Sequence, residues 1–99
     1  MIKELEAKEF NDAIKEGKVL IDCYATWCGP CRMLGPILEE LSNEITDYKF
    51  YKLDVDKNED LARQFGIMSI PTMLIFENGN LNQKLVGLMS KEELKKVLN

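Results

Sequence analysis

The chain has 99 residues, a formal net charge of −4 and 45% hydrophobic residues. A chain of about this length forms one domain, so we expect a single domain over residues 1–99. Because an acidic protein repels phosphate groups, the charge argues against a nucleic acid or an anionic membrane as the partner. The N-terminal segment MIKELEAKEF alternates charged and apolar residues and has no apolar core of signal-peptide length. We therefore expect a cytoplasmic protein.

The first half of the chain predicts a strand, a helix and a second strand in succession. A short helix that includes Phe10 and ends at Gly17 comes before them. Residues 18–25 are apolar on both faces, which indicates a buried central strand. Residues 30–46 carry a helical stripe of apolar side chains, and residues 49–55 predict the second strand. Because a helix joins the two strands, we expect them to be parallel.

The second half predicts a short helix followed by a hairpin. Asn58 is the predicted cap of a helix that stops at Gly66. Residues 72–76 are rich in strand-forming side chains and run towards an Asn-Gly pair at 78–79. Asn-Gly between two apolar runs is a strong hairpin signal, so residues 81–87 should return antiparallel.

The two ends of the chain complete the predicted layout. Ser90 and Glu93 have the spacing of a capping box, which predicts a helix at the C-terminus. A strand over residues 2–5 would add an edge to the sheet. The whole pattern indicates an α/β domain in which one mixed sheet is flanked by helices.

The segment WCGPC holds two of the three cysteines, and the chain contains no histidine. A structural zinc site needs four ligands, usually Cys or His, and Cys28 and Cys31 supply only two. Two residues at i and i+3 on the first turn of a helix lie on one face, within reach of a disulfide. Cys28, just before the helix, would meet unpaired N–H groups and the positive end of the helix dipole, which stabilise a thiolate. We therefore favour a redox-active dithiol over a metal site.

Two residues of the first predicted strand leave alternatives open. Asp22 interrupts an apolar run and could be an ordinary surface or edge aspartate. If it is buried instead, desolvation would raise its pKa, and it could take a proton from Cys31. Cys23 is best interpreted as a small buried hydrophobe, and the alternative is a third, regulatory thiol.

The segments VLIDCYATWCGPCRMLGPILEEL, KLDVD, SIPTMLIFENG and KLVG, taken together, resemble the thioredoxin family. The resemblance runs in collinear order over nearly the whole chain. It implies the thioredoxin fold, with a central mixed sheet of four to five strands flanked by four helices. Cys23 and Tyr24 stand where the family usually has Phe and Trp, so we expect the packing beneath the site to differ.

The resemblance also implies the roles of individual residues in the reaction. Cys28 matches the exposed attacking thiol and Cys31 the resolving thiol. Asp22 matches a buried aspartate beneath the pair, and Lys52 matches a lysine near that aspartate.

A second group of matches concerns the surface that receives a substrate. Pro71 matches a cis-proline that faces the dithiol. Pro36 matches a kink in the active-site helix, which begins at the two cysteines. The apolar rim of the site is matched by Trp27, Gly29, Pro30, Ile70 and Gly87.

The implied function is a protein-disulfide reductase, a monomer that supplies electrons to disulfide-containing proteins and serves thiol homeostasis. It would bind no cofactor beyond the redox-active Cys28–Cys31 disulfide, and a flavin- and NADPH-dependent thioredoxin reductase would re-reduce it. The uncharged Gly29-Pro30 between the cysteines favours a reducing pair, because no cation lowers the thiol pKa. Two alternatives remain open: a disulfide oxidase or isomerase on the same fold, and a non-catalytic thioredoxin-fold binding subunit.

Overall fold

A five-stranded mixed sheet is the centre of the fold in a computed structural model, which describes residues 2–99. The strands lie in the order β1-β3-β2-β4-β5. β1 and β2 run parallel to β3, whereas β4 runs antiparallel to both β2 and β5. The predicted parallel pair, the hairpin and the N-terminal edge strand are therefore all confirmed. The strands are β1 (Lys3–Glu4), β2 (Lys18–Tyr24), β3 (Tyr48–Asp54), β4 (Thr72–Glu77) and β5 (Asn80–Val86).

Four α-helices cover the sheet, in agreement with the predicted number. They are α1 (Phe10–Ile14), α2 (Gly29–Glu44), α3 (Glu59–Gln64) and α4 (Lys91–Leu98). A 3₁₀ turn over Ala7–Glu9 precedes α1 and was not predicted. No helix within residues 2–99 has the length and apolar character needed to cross a membrane.

Both faces of β2 are buried, which explains its continuous apolar sequence. Leu20 packs with Leu34 and Leu38 of α2 on one face. Ile21 and Cys23 point to the opposite face, where they join a cluster around Phe10. Successive residues of a strand alternate between faces, so a strand between two helical layers needs apolar residues throughout. The interpretation of Cys23 as a buried hydrophobe is confirmed, because its exposed fraction is 0%.

Local signals set most of the helix boundaries. At the start of α4, Ser90 Oγ accepts the Glu93 N–H at 3.1 Å, and the Ser90 N–H donates to Glu93 Oε1 at 2.9 Å, so the predicted capping box is confirmed. Asn58 is the N-cap residue of α3, as predicted, but its side chain makes no capping hydrogen bond. Asn58 Nδ2 donates instead to the Asp54 carbonyl oxygen at 2.9 Å, because the turn after β3 folds the side chain back towards the end of the strand.

The hairpin turn is also joined to the loop that precedes β2. Asn78 and Gly79 both have positive φ, at 51° and 86°, as a two-residue hairpin loop of the primed type requires. The Asn78 N–H donates to the Gly17 carbonyl oxygen at 2.9 Å, and the Gly17 N–H donates to Asn78 Oδ1 at 2.8 Å. This end of the sheet is therefore fixed, and the opposite end, where β2 and β3 finish, carries the cysteines.

Candidate active site

The two cysteines of WCGPC form a disulfide at the start of α2. Their Cα atoms lie 5.3 Å apart, within the usual range for a disulfide. Cys28 occupies the N-cap position of the helix, and its Sγ accepts the Cys31 N–H at 3.2 Å. Pro30 lies within the first helical turn, where its missing N–H costs no hydrogen bond. The sulfur of Cys28 is thus placed where backbone N–H groups and the helix dipole favour negative charge.

The predicted exposure of Cys28 is wrong for this disulfide form. Cys28 and Cys31 each have an exposed fraction of 5%. Both sulfurs lie in a small apolar cluster with Ala25, against which Tyr24 and Ile70 pack. The disulfide and these neighbours shield Cys28 from solvent.

The loop before β4 lies next to the disulfide. The Ile70–Pro71 peptide bond is cis, as the resemblance implied. The Ile70 carbonyl oxygen lies 3.9 Å from Cys28 Sγ. The Gly87 N–H donates to the Pro71 carbonyl oxygen at 2.8 Å. Residues from three distant parts of the sequence are therefore brought together at the cysteines.

Trp27 lies on the surface beside the disulfide, with 68% of the residue exposed. Its Nε1 donates to Asp56 Oδ2 at 2.8 Å, which fixes one edge of the indole. An exposed tryptophan held in place by one hydrogen bond offers a flat apolar face to a partner.

Asp22 is buried in β2, with an exposed fraction of 5%. Within residues 2–99, its Oδ1 has no hydrogen-bond partner. Burial raises the pKa of Asp22 to about 7, and the positive charge of Lys52 lowers it while the negative charge of Glu4 raises it. The interpretation of Asp22 as a surface aspartate is therefore wrong, and the buried alternative is confirmed.

The register of β2 shows where Asp22 lies relative to the cysteines. Asp22 shares a sheet face with Leu20, which packs against Leu34 of α2. Asp22 lies nearer than Leu20 to the end of β2, and α2 begins beyond that end. Cys31 belongs to the first turn of α2. Lys52 of β3 is the register partner of Asp22.

The cysteine pair has no partner for metal binding in the part of the chain that the structure describes. Within residues 2–99, no three or more His, Cys, Asp or Glu side chains lie together in a group that could hold a metal ion. The zinc alternative therefore lacks a ligand set in these residues.

The family model named Thioredoxin matches residues 1–99. The chain belongs to the thioredoxin family. A thioredoxin of Listeria monocytogenes is 46% identical over 100 residues, covering 100% of this chain and 97% of the relative. A thioredoxin of Bacillus subtilis is 44% identical over 93 residues, covering 93% and 89%. The crystal structure of oxidized mitochondrial thioredoxin 3 from Saccharomyces cerevisiae superposes with a TM-score of 0.89 at 38% identity, covering 97% of this chain and 92% of that one.

Membership of the thioredoxin family confirms the predicted fold and the predicted class of activity. The chain is a thiol-disulfide oxidoreductase that exchanges a dithiol for a disulfide. Its redox-active group is the Cys28–Cys31 disulfide rather than a bound cofactor. Membership of the family implies disulfide-containing substrates and a reductase as the partners of such a protein.

Three residues at this thioredoxin site were not predicted from the sequence. Asp56 accepts a hydrogen bond from Trp27. Tyr24 donates a hydrogen bond to Glu4, and both Glu4 and Asp22 are register partners of Lys52. Asp56 belongs to the KLDVD segment that carried part of the resemblance, so a signal existed for it. Glu4 lies in a charged N-terminal segment with no motif, and nothing local marks it.

Proposed function

We propose that this thioredoxin is a cytoplasmic reductase that supplies electrons to disulfide-containing proteins and maintains their thiols. The observation that supports this best is the disulfide at the N-terminus of α2, with Cys28 Sγ bonded to a helix N–H and Ile70 beside it. A reducing dithiol works in a compartment that keeps thiols reduced, which is the reason for proposing the cytoplasm.

Cys28 is the nucleophile in the first step. In the reduced protein its thiolate attacks one sulfur of a substrate disulfide, forms a mixed disulfide and releases the other substrate sulfur as a thiolate, which takes up a proton. The hydrogen bond from the Cys31 N–H at 3.2 Å stabilises the Cys28 thiolate. In the second step Cys28 is the sulfur under attack, and the substrate sulfur is the leaving group.

Cys31 resolves the mixed disulfide in the second step. Its thiol gives a proton to the Asp22 carboxylate and attacks Cys28 Sγ. The Cys28–Cys31 disulfide forms, and the second substrate sulfur leaves as a thiolate that is then protonated. The substrate gains two electrons and the protein loses two. Asp22 suits the role of base because its pKa of about 7 lies near the operating pH, and Lys52 moderates that pKa.

The substrate chain docks beside the cysteines on an apolar rim. An open groove lies between Trp27 and the loop that ends at Ile70. Its lining includes the apolar Val55, Ala62 and Met68 together with the charged Glu59 and Arg63. Extended substrate backbone would pair with the Ile70 segment in the manner of strand addition. A rim of this size gives a weak, rapidly exchanging complex, which suits a reductant with many substrates.

The rest of the rim follows the same proposal. Gly29 and Pro30 at the start of α2, together with Pro71 and Gly87, leave room for the substrate backbone next to Cys28. The chain acts as a monomer and carries no flavin or nicotinamide, so its electrons come from an NADPH-dependent flavoprotein thioredoxin reductase.

An insulin-reduction assay with dithiothreitol tests this function. Wild type should accelerate precipitation of the insulin B chain, and Cys31→Ser should not, because it cannot resolve the mixed disulfide. Cys23→Ala is the matched control and should retain activity, because Cys23 lies in the apolar cluster around Phe10, on the face of β2 opposite to α2. Equal rates for wild type and Cys31→Ser would refute the reductase function and favour a binding subunit.

Redox titration against glutathione separates the reductase from the oxidase or isomerase. We expect a potential well below ~−180 mV, the level typical of isomerases of the secretory pathway. A potential at or above that level would indicate a disulfide oxidase or isomerase instead of a reductase.

A further inference from the structure

The structure places two ionisable side chains next to Asp22 and Lys52 that the exchange mechanism above does not use. Tyr24 donates from its hydroxyl to both carboxylate oxygens of Glu4, at 2.6 Å and 2.8 Å. The Lys52 Nζ lies 5.9 Å from the centre of the Tyr24 ring, within the range of a cation–π contact. A single tyrosine thus contacts an acid of β1 and a base of β3.

The strand register aligns three of these charges in one row. Glu4 is the register partner of Lys52 across β1 and β3, and Lys52 is the register partner of Asp22 across β3 and β2. Register partners point to the same face of a sheet. The row is therefore negative, positive and negative, with Lys52 between the two carboxyl groups. Among residues 2–99, Lys52 forms no ion pair, so its positive charge acts on both the Glu4 and the Asp22 carboxyl groups.

β4 and α2 add no other ionisable group at the register of Asp22, whereas β3 adds the buried Asp54, which is the register partner of Tyr24. β4 contributes Met73 as the partner of Asp22. The first turn of α2 contributes the cysteine pair. Further along α2, the Glu39 carboxylate accepts the Ile2 backbone N–H at 3.3 Å, and its partner therefore belongs to the N-terminal segment.

We propose that Glu4, held in place by the hydrogen bond from Tyr24, is a positioning residue for the Asp22–Lys52 pair. Glu4 counteracts the attraction that Lys52 exerts on the Asp22 carboxylate, and so keeps Asp22 protonated to a higher pH. This inference rests on the proposed function only for its catalytic consequence. That consequence is the pH at which the Asp22 carboxylate can accept the proton of Cys31.

The electrostatics of the cluster agree with the geometry. The charge of Glu4 acts on Asp22 in the raising direction, opposite to that of Lys52. Burial and then the hydrogen bond to Glu4 raise the pKa of Tyr24, so its hydroxyl keeps its proton and continues to donate at neutral pH.

Titration of the Asp22 carboxyl carbon by ¹³C NMR tests the proposal directly in the folded protein. In Glu4→Gln we expect the pKa of Asp22 to fall by roughly half a pH unit, because one nearby negative charge is lost. Glu16→Gln is the control, since it removes the same charge from the opposite end of the sheet, before β2 begins, and should leave Asp22 unchanged. A pKa in Glu4→Gln equal to that in Glu16→Gln would overturn the proposal.

A double-mutant cycle tests the part assigned to Tyr24. Tyr24→Phe keeps the ring over Lys52 and removes only the hydroxyl, so the Glu4 carboxylate is released towards solvent. We expect a smaller fall in the pKa of Asp22 than in Glu4→Gln, and no additional fall when both changes are combined. Additive effects would overturn the assignment, because Tyr24 would then act on Asp22 independently of Glu4.

Stopped-flow rates of mixed-disulfide resolution separate this inference from the proposed function. If Asp22 is the base, the Glu4→Gln variant should resolve the mixed disulfide about 2.5-fold faster than wild type at pH 6. A fall of about half a unit in the pKa of Asp22 raises its ionised fraction by roughly that factor at this pH. An Asp22 pKa that falls without any change in rate would support the positioning role and refute Asp22 as the base. An unchanged pKa would refute the positioning role whatever the rate.

Discussion

Trp27 and Asp56 are joined by a hydrogen bond of 2.8 Å from the indole Nε1 to the carboxylate. The bond connects the loop before α2 to the turn after β3. It therefore fixes the largest exposed side chain of the site relative to the end of the parallel pair of strands.

Loss of this bond should weaken substrate binding more than chemistry. We expect Asp56→Leu to raise KM for insulin roughly threefold to tenfold, the effect of a hydrogen bond of about 1 kcal/mol, with kcat nearly unchanged. Asp56→Asn is the matched control, because its amide oxygen still accepts from Trp27. If Asp56→Asn and Asp56→Leu have the same KM, the charge of Asp56 matters and the hydrogen bond does not.

The three cysteines of the reduced protein should react at very different rates. Cys28 should be alkylated by iodoacetamide well before Cys31, because Cys28 sits at the helix N-cap, where a backbone N–H stabilises its thiolate. Burial raises the pKa of Cys23 to about 12, so this thiol should remain unmodified until the protein unfolds. Peptide mass spectrometry after short labelling times measures all three. Labelling of Cys31 as fast as Cys28 would contradict the assignment of nucleophile and resolving thiol.

Replacing Asp22 with Asn should slow resolution of the mixed disulfide in a pH-dependent way. Above pH 7 the wild-type carboxylate is ionised and accepts the proton, so Asp22→Asn should be roughly tenfold to a hundredfold slower. Below pH 6 the wild-type side chain is protonated and the two proteins should converge. The rates can be followed by the fluorescence of Trp27, the single tryptophan of the chain. Parallel pH profiles would remove Asp22 from the mechanism.

The same substitution should stabilise the fold at high pH. The pKa of Asp22 is raised from 3.8 to about 7, so the folded state binds a proton that the unfolded state has lost between these values. Stability therefore falls as pH rises from about 4 to 7, and a difference of about three units corresponds to roughly 4 kcal/mol above pH 7. Asp22→Asn should recover about 2–4 kcal/mol at pH 8 and little at pH 4, as measured by urea unfolding. A gain that is independent of pH would indicate a different cause.

Lys84 should stabilise the loop that leads to Ile70. Its Nζ donates to the Phe65 carbonyl oxygen at 2.7 Å and to that of Gly66 at 3.3 Å, where α3 ends with unpaired carbonyl groups. We expect Lys84→Met to lower the free energy of unfolding by about 0.5–1.5 kcal/mol. Lys49→Met provides the comparison, because Lys49 is exposed on β3. Equal losses in both variants would attribute the effect to charge or hydropathy rather than to these two bonds.

Local patterns in the sequence determined the order of helices and strands. The apolar run of β2, the helical stripe of α2 and the Asn78-Gly79 turn each specify their structure within a few residues, because backbone propensity and side-chain periodicity are local properties. The position of Cys28 before a helix likewise follows from the segment WCGPC alone, and so does its N-cap geometry. These local features were sufficient to predict the fold class and the dithiol chemistry.

Contacts between distant segments were decided only by the tertiary structure. The burial of Asp22, which the sequence left open, depends on α2 covering one face of β2. The burial of Cys28 depends on the Ile70 loop, and the pairing of Glu4 with Tyr24 depends on a register that spans three strands. Such contacts leave no mark in the local sequence, because an exposed and a buried carboxylate are the same residue until the chain folds around one of them. The sequence therefore determined which chemistry this protein performs, and packing decided the proton affinities and the access that govern it.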